Sequence, residues 1–181
     1  MEIMIKKSPL GTPSRAFTIL EILIVVAVIA VLAGIVLLGI SNVRNKARYS
    51  RSIEEFHQIS SAMELYYQKN GDYPIDVTRD LPPGAEQYIT GGVWPKAPYP
   101  GSVYDWEHWQ PPQLADDPKE EIVQISIRFC PVGQPTQCIF PNEPWAAGFG
   151  VNSALYYCIK GPCRAHSGED ITYPAYCVNC D

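Results

Sequence analysis

Six cysteines, Cys130, Cys138, Cys158, Cys163, Cys177 and Cys180, are the residues of this 181-residue chain whose type and spacing most plainly invite chemistry, and all lie in its last third. Two chemistries compete for them. Cys158-x4-Cys163-x2-His166 together with Cys177-x2-Cys180 has the form of ligand pairs that close a tetrahedral zinc shell. The other chemistry is covalent, because an even set of thiols in a loop-rich region is the pattern of disulfide staples in an oxidising compartment. The staple reading is favoured and no metal is assigned. Sequence does not select among the possible connectivities. Cys130–Cys138 is the favoured pair, since Pro131, Gly133 and Pro135 turn the intervening loop back on itself, and the other four then pair among themselves. A redox role for Cys177-Val178-Asn179-Cys180 would need a βαβ setting that the surrounding sequence lacks.

General acid–base chemistry has weaker candidates. His57 falls on the polar side of a predicted helix, and His108 and His166 fall in predicted loops, where surface roles are expected. The acid pairs Asp105/Glu107, Asp116/Asp117 and Glu120/Glu121 have the residue types a glycosidase uses, yet they read as solvated loop charges. G-x-S-x-G, H-E-x-x-H, the P-loop and a Gly-rich dinucleotide turn are all absent from the sequence. Neither an enzyme nor a cofactor is expected.

The elements that must position these residues follow from charge and hydropathy. Residues 1–51 hold seven Lys/Arg against two acids, whereas residues 52–181 hold seven against seventeen. An acidic body lacks the clustered basic surface that displaces counterions from phosphates, so nucleic acid is not an expected partner. Residues 1–16, with Lys6, Lys7 and Arg15, have the character of a leader rather than of folded chain. From Ile22 to Ile40 no residue is charged, and a helix of that length nearly spans the ~30 Å hydrocarbon core. Beyond it Val43, Ala47, Ile53, Phe56, Ile59, Met63 and Tyr66 recur at helical spacing, so one helix of about 50 residues is expected to run on into water and stop at Asn70-Gly71.

The rest of the chain is rich in proline and glycine and reads as loops with short strands. In 120–129, Val123, Ile125, Ile127 and Phe129 alternate with Gln124, Ser126 and Arg128, the pattern of a strand with one buried face. Further strands are expected at Ala154–Ile159 and near Tyr173–Val178. The predicted fold class is therefore α+β: a long N-terminal helix, membrane-spanning in its first half and amphipathic in its second, packed on a small antiparallel sheet with a disulfide-stapled C-terminal region. Its parts are a cleaved leader (1–16), a membrane and assembly helix (17–41), an amphipathic continuation (42–71) and an exported body (72–181).

Glu21 stands at the head of the apolar run. A carboxylate at a bilayer centre costs roughly 2.5 to 3.5 kcal/mol, less near the end of a span, so it is retained either as a marker of the interface or because something pairs with it. The stretch Arg15-Ala16-Phe17-Thr18-Ile19-Leu20-Glu21-Ile22-Leu23-Ile24-Val25-Val26 resembles the class III signal of type IV pilins and type II secretion pseudopilins. That resemblance implies cleavage between Ala16 and Phe17 by a prepilin peptidase, N-methylation of Phe17, and pairing of Glu21 with the Phe17 amino group of a neighbouring copy. It further implies a homopolymeric pilus or pseudopilus, built by an inner-membrane assembly platform from subunits that first wait in membrane lipid as single-pass proteins with the body outside. Two positions depart from the family pattern: Ala16 stands where glycine is usual, and Leu38 where many members carry proline, which implies a straighter helix. Asn70-Gly71-Asp72-Tyr73-Pro74 and Trp94-Pro95-Lys96-Ala97-Pro98 are similar to the helix exit and loop of major pseudopilins, whereas their calcium loop has no clear counterpart. The competing function is a monomeric membrane-tethered binding domain that meets its ligand through Trp94, Trp106, Trp109 and Trp145.

Overall fold

No proline interrupts the chain between Phe17 and Lys69, and a single helix, α1, forms over Ile19–Asn70. It ends where the sequence places its stop. Gly71 adopts φ 82°, its amide bonds the Tyr67 carbonyl at 2.7 Å, and the Asn70 side chain caps the Tyr66 carbonyl at 2.8 Å. The computed structural model describes residues 17–111, 120–134, 136–166 and 169–180, with the side chains of 36–41, 165, 166, 169 and 170 outside that description. Leader residues 1–16, the Asp116/Asp117 pair, Pro135, Leu38 and the His166 side chain thus lie outside the described set.

The chain divides into two units, Met1–Ser41 and Asn42–Asp181. In the first, every described side chain from Phe17 to Ile35 is exposed, so an apolar helix surface is open on all sides. Among the described residues no helix is long and apolar enough to cross a membrane. The expected span Ile22–Ile40 runs past Ile35 into side chains outside the description.

In the second unit a four-stranded sheet has the order β1-β2-β3-β6, from β1 (Val103–Trp109), β2 (Ile122–Arg128), β3 (Ala154–Lys160) and β6 (Tyr176–Cys177). A separate two-residue hairpin pairs β4 (Ala165–His166) with β5 (Glu169–Asp170). The first three strands are antiparallel, but β6 runs parallel to β3, so the sheet is mixed rather than wholly antiparallel. The parallel pair is short because only Leu155 and Tyr156 find partners, Tyr176 and Cys177, as the chain returns past the hairpin.

Strand register sorts the sheet into two faces. Tyr104, Trp106 and His108 oppose Ile127, Ile125 and Val123, and Leu155 and Tyr157 continue that row across β3. This face packs on Phe56, Ile59 and Met63 of α1, with Phe56 stacked on Tyr157 at 5.5 Å between ring centroids. The helix stripe is shorter than its periodicity suggests. Val43 is 67% exposed and Ala47 is also exposed, because among the described residues the hydrophobic core reaches along the helix only as far as Tyr49, where Trp145 covers the ring.

The second face departs from expectation. All seven residues of β2 are buried, including Gln124, Ser126 and Arg128, which the alternation assigned to solvent. Their cover comes from the missed strand: Asp105 and Glu107 of β1 stand opposite Ser126 and Gln124 and bring a polar layer with them.

Candidate functional site

Glu21 is built into the start of α1 by local chemistry. The Thr18 amide and hydroxyl donate to Glu21 Oε2 at 2.8 and 2.9 Å, and the Glu21 amide donates back to Thr18 Oγ1 at 3.2 Å. This reciprocal arrangement is a capping box, which satisfies two of the amides a helix start leaves unbonded. The T-x-x-E spacing of Thr18 and Glu21 is the sequence signal of such a cap. One carboxylate oxygen is thus committed, and Oε1 has no partner among the described residues. Phe17, 81% exposed, directly precedes the cap, while Ala16 lies outside the described set. The pieces at this end are a carboxylate, a Phe one turn before it, and an apolar helix uncovered on every side.

The polar face of the sheet gathers the acids read as solvated loop charges. Asp105 and Glu107 are buried on β1 and clamp Arg128, whose Nε stands 3.1 Å from Asp105 and whose Nη2 stands 2.5 Å from Glu107. Glu107 also accepts from Gln124 and, at 3.4 Å, from Ser126. Asp105 accepts the Arg79 amide at 2.6 Å, which holds Arg79 in the left-handed region at φ 56°. Desolvation pushes the Glu107 carboxyl up to about 7, a rise that Arg128 only partly offsets. The network borders a cavity of about 440 Å³ that Asp76, Arg79, Asn152 and Tyr173 also line. With their oxygens engaged by Arg128, Gln124, Ser126 and Arg79, the two carboxyl groups serve a structural role, holding the second layer onto the sheet. Sequence reasoning passed over β1 because prolines flank it, although Tyr104, Trp106 and His108 alternate with Asp105 and Glu107 as strand faces do.

The cysteines form three bridges, Cys130–Cys138, Cys158–Cys163 and Cys177–Cys180. The sulfurs that a zinc shell would need are bonded to one another, and each bridge closes a local loop. His57 is exposed and meets the Tyr157 hydroxyl at 3.1 Å. His108, expected in a loop, is instead buried on β1. Three of the tryptophans pack or bond within the body. Trp106 is buried with its indole bonded to the Pro74 carbonyl at 3.0 Å, Trp94 donates to the Tyr104 carbonyl at 3.0 Å, Trp145 packs among Tyr49, Phe129 and Phe149, and Trp109 is half-buried. Trp106 is buried, and Trp94, Trp109 and Trp145 are half-buried.

Comparison with known proteins returns to the N-terminal segment. Residues 12–37 match the model of the prokaryotic N-terminal methylation motif. The chain is 31% identical over 64 residues to a type II secretion system core protein G of Pectobacterium carotovorum subsp. carotovorum, covering 35% of this chain and 41% of that protein. It is 28% identical over 92 residues to the core protein G of Escherichia coli K12 and 27% identical over 92 residues to that of Klebsiella michiganensis; each match covers 46% of this chain, and 63% and 65% of those proteins. The matched stretch is less than two thirds of the length of each of these three relatives. No solved structure matches the chain.

Proposed function

We propose, from the methylation motif and the similarity to core protein G relatives, that this chain belongs to the type IV pilin and pseudopilin family and is a structural subunit that polymerises into a filament. The names of those relatives favour a secretion pseudopilus over a surface pilus. In this reading a prepilin peptidase removes residues 1–16 and methylates Phe17. Residues 17–41 hold the subunit in the inner membrane and later form the filament core, 42–71 carry the helix into the body, and 72–181 complete an extracytoplasmic domain. The implied partners are further copies or related pilins, the peptidase, an inner-membrane assembly platform and lipid.

The observation that carries this reading is Glu21 at the head of a helix whose apolar side chains from Ile19 to Ile35 are all exposed. Such a surface demands lipid or other helices around it. Since one Glu21 oxygen already caps the helix, pairing with the Phe17 amino group of another copy falls to the remaining oxygen.

The capping box supplies the experiment. Glu21→Gln keeps the reciprocal bonds, because glutamine serves in a capping box as glutamate does, yet it removes the charge. In cells with a prepilin peptidase and assembly platform, Glu21→Gln is expected to yield processed, membrane-held subunits that do not enter filaments. Normal filaments from that variant would reduce Glu21 to a helix cap and sink the pairing mechanism. Intact mass of the wild-type chain is expected to begin at a methylated Phe17.

A further inference from the structure

His108 is held so that one ring nitrogen points at two carboxylates. Its Nδ1 lies 2.9 Å from the Pro74 carbonyl, which can only accept, so Nδ1 carries the hydrogen. In the neutral ring Nε2 is then a bare lone pair. That atom is buried without a hydrogen-bond partner, on a side chain only 4% exposed. Facing it are Glu121 Oε1 at 3.3 Å and Asp72 Oδ1 at 3.9 Å, and the three donor atoms lie within 4.8 Å of one another. A lone pair and two anions directed at one point repel unless a positive charge stands between them.

We propose that Asp72, His108 and Glu121 bind a divalent transition-metal cation of the Zn²⁺ class. A nitrogen beside two carboxylate oxygens selects zinc and its neighbours over calcium and magnesium, which take oxygen alone. The spacing fits, since donors around a tetrahedral zinc stand roughly 3.3 Å apart. His108 and Glu121 already stand at that separation, and Asp72, which is exposed, closes the rest by moving inward from 3.9 Å.

The outer contacts are those of a metal site. Pro74 fixes the His108 tautomer by taking its other N–H. Gln110 donates to Asp72 Oδ2 at 2.7 Å and Lys160 binds Glu121 Oε2, so each carboxylate is oriented through the oxygen that faces away from His108. The Tyr73 amide, at 2.8 Å, adds a bond to Asp72 Oδ1. The three ligands come from the exit of α1, the end of β1 and the residue before β2, so the cation would tie the helix terminus to the sheet. Three protein ligands leave a fourth position for water, as in open zinc sites. None of these ligands is a cysteine, so the site is separate from the bridged thiols.

The test is calorimetric titration of Zn²⁺ into the full-length, disulfide-intact chain in detergent, for wild type, Asp72→Ala and Glu121→Gln. One equivalent is expected to bind the wild type and raise its Tm reversibly to EDTA, with affinity tenfold or more lower in each variant. Asp72 is exposed, so Asp72→Ala is expected to keep the wild-type circular dichroism and to lose only the metal response. His108→Gln is a third arm, read only where its spectrum matches wild type. Absence of Zn²⁺ binding to the wild type, equal affinity in Asp72→Ala and Glu121→Gln, or saturation by Ca²⁺ in preference to Zn²⁺ would each overturn the proposal.

Discussion

The Tyr104 hydroxyl on β1 donates to Glu55 Oε2 on α1 at 2.5 Å, while Arg51 holds the other oxygen of the same carboxylate at 2.7 Å. Arg51 in turn reaches the Lys96 carbonyl at 3.3 Å, so one carboxylate joins helix, strand and loop. Burial, with Glu55 beside it, holds the Tyr104 proton far above the ordinary phenol range, and the phenol remains a donor at every working pH. Tyr104→Phe keeps the ring against Phe56 and Trp94 but removes the bond. Hydrogen bonds to charged groups contribute about 1.5–3 kcal/mol, and a loss in that range is expected from urea denaturation of the full chain in detergent.

Gly161 follows β3 at φ 79°, and a Cβ there would lie 1.8 Å from the Glu121 carbonyl oxygen. The obstacle is backbone, so no rotamer relieves it. Gly161→Ala is expected to cost about 3 kcal/mol or more and to break the approach of Lys160 to Glu121, read as a lower unfolding midpoint.

Glu107 gives the body a pH dependence of defined sign. Its folded value of about 7 lies above that of an unfolded glutamate, so the folded state binds the extra proton and is favoured by it. This contribution is complete below the unfolded value near 4.5 and is lost as pH rises through about 7. Denaturation midpoints are expected to fall between pH 5 and pH 8, by roughly 1–3 kcal/mol from this group. Glu107→Gln should flatten that profile, and an unchanged slope would assign it to other groups.

The three bridges close loops of unequal length, with separations of 8, 5 and 3 residues. Loop-closure entropy predicts about 2 kcal/mol for each, greatest for the longest. Replacing the Cys130–Cys138 pair by serines is therefore expected to lower the melting temperature more than replacing the Cys177–Cys180 pair.

Legibility differed by element for physical reasons. The end of α1 could be read because Asn70-Gly71 leaves few conformations open, and β2 because Val123, Ile125 and Ile127 leave no other face to bury. The buried side of Gln124, Ser126 and Arg128 could not be read, since polar residues are enclosed only when distant partners meet them, here Asp105 and Glu107 from another strand. His108 shows the same limit: its proton-bearing nitrogen is set by the Pro74 carbonyl, a contact that no local spacing encodes. The parallel pairing of β6 likewise depends on where the chain returns after the β4–β5 hairpin.

The locality of the bridges bears on mechanical load. None of them links α1 to the sheet or one strand of the sheet to another. Tension applied between the helix and the C-terminal end therefore passes only through side-chain packing, strand ladders and contacts such as Tyr104–Glu55. Once those yield, the bridges shorten the extended chain only by their own small loops, and a pulled subunit would pay out nearly its whole contour as oxidised as when reduced.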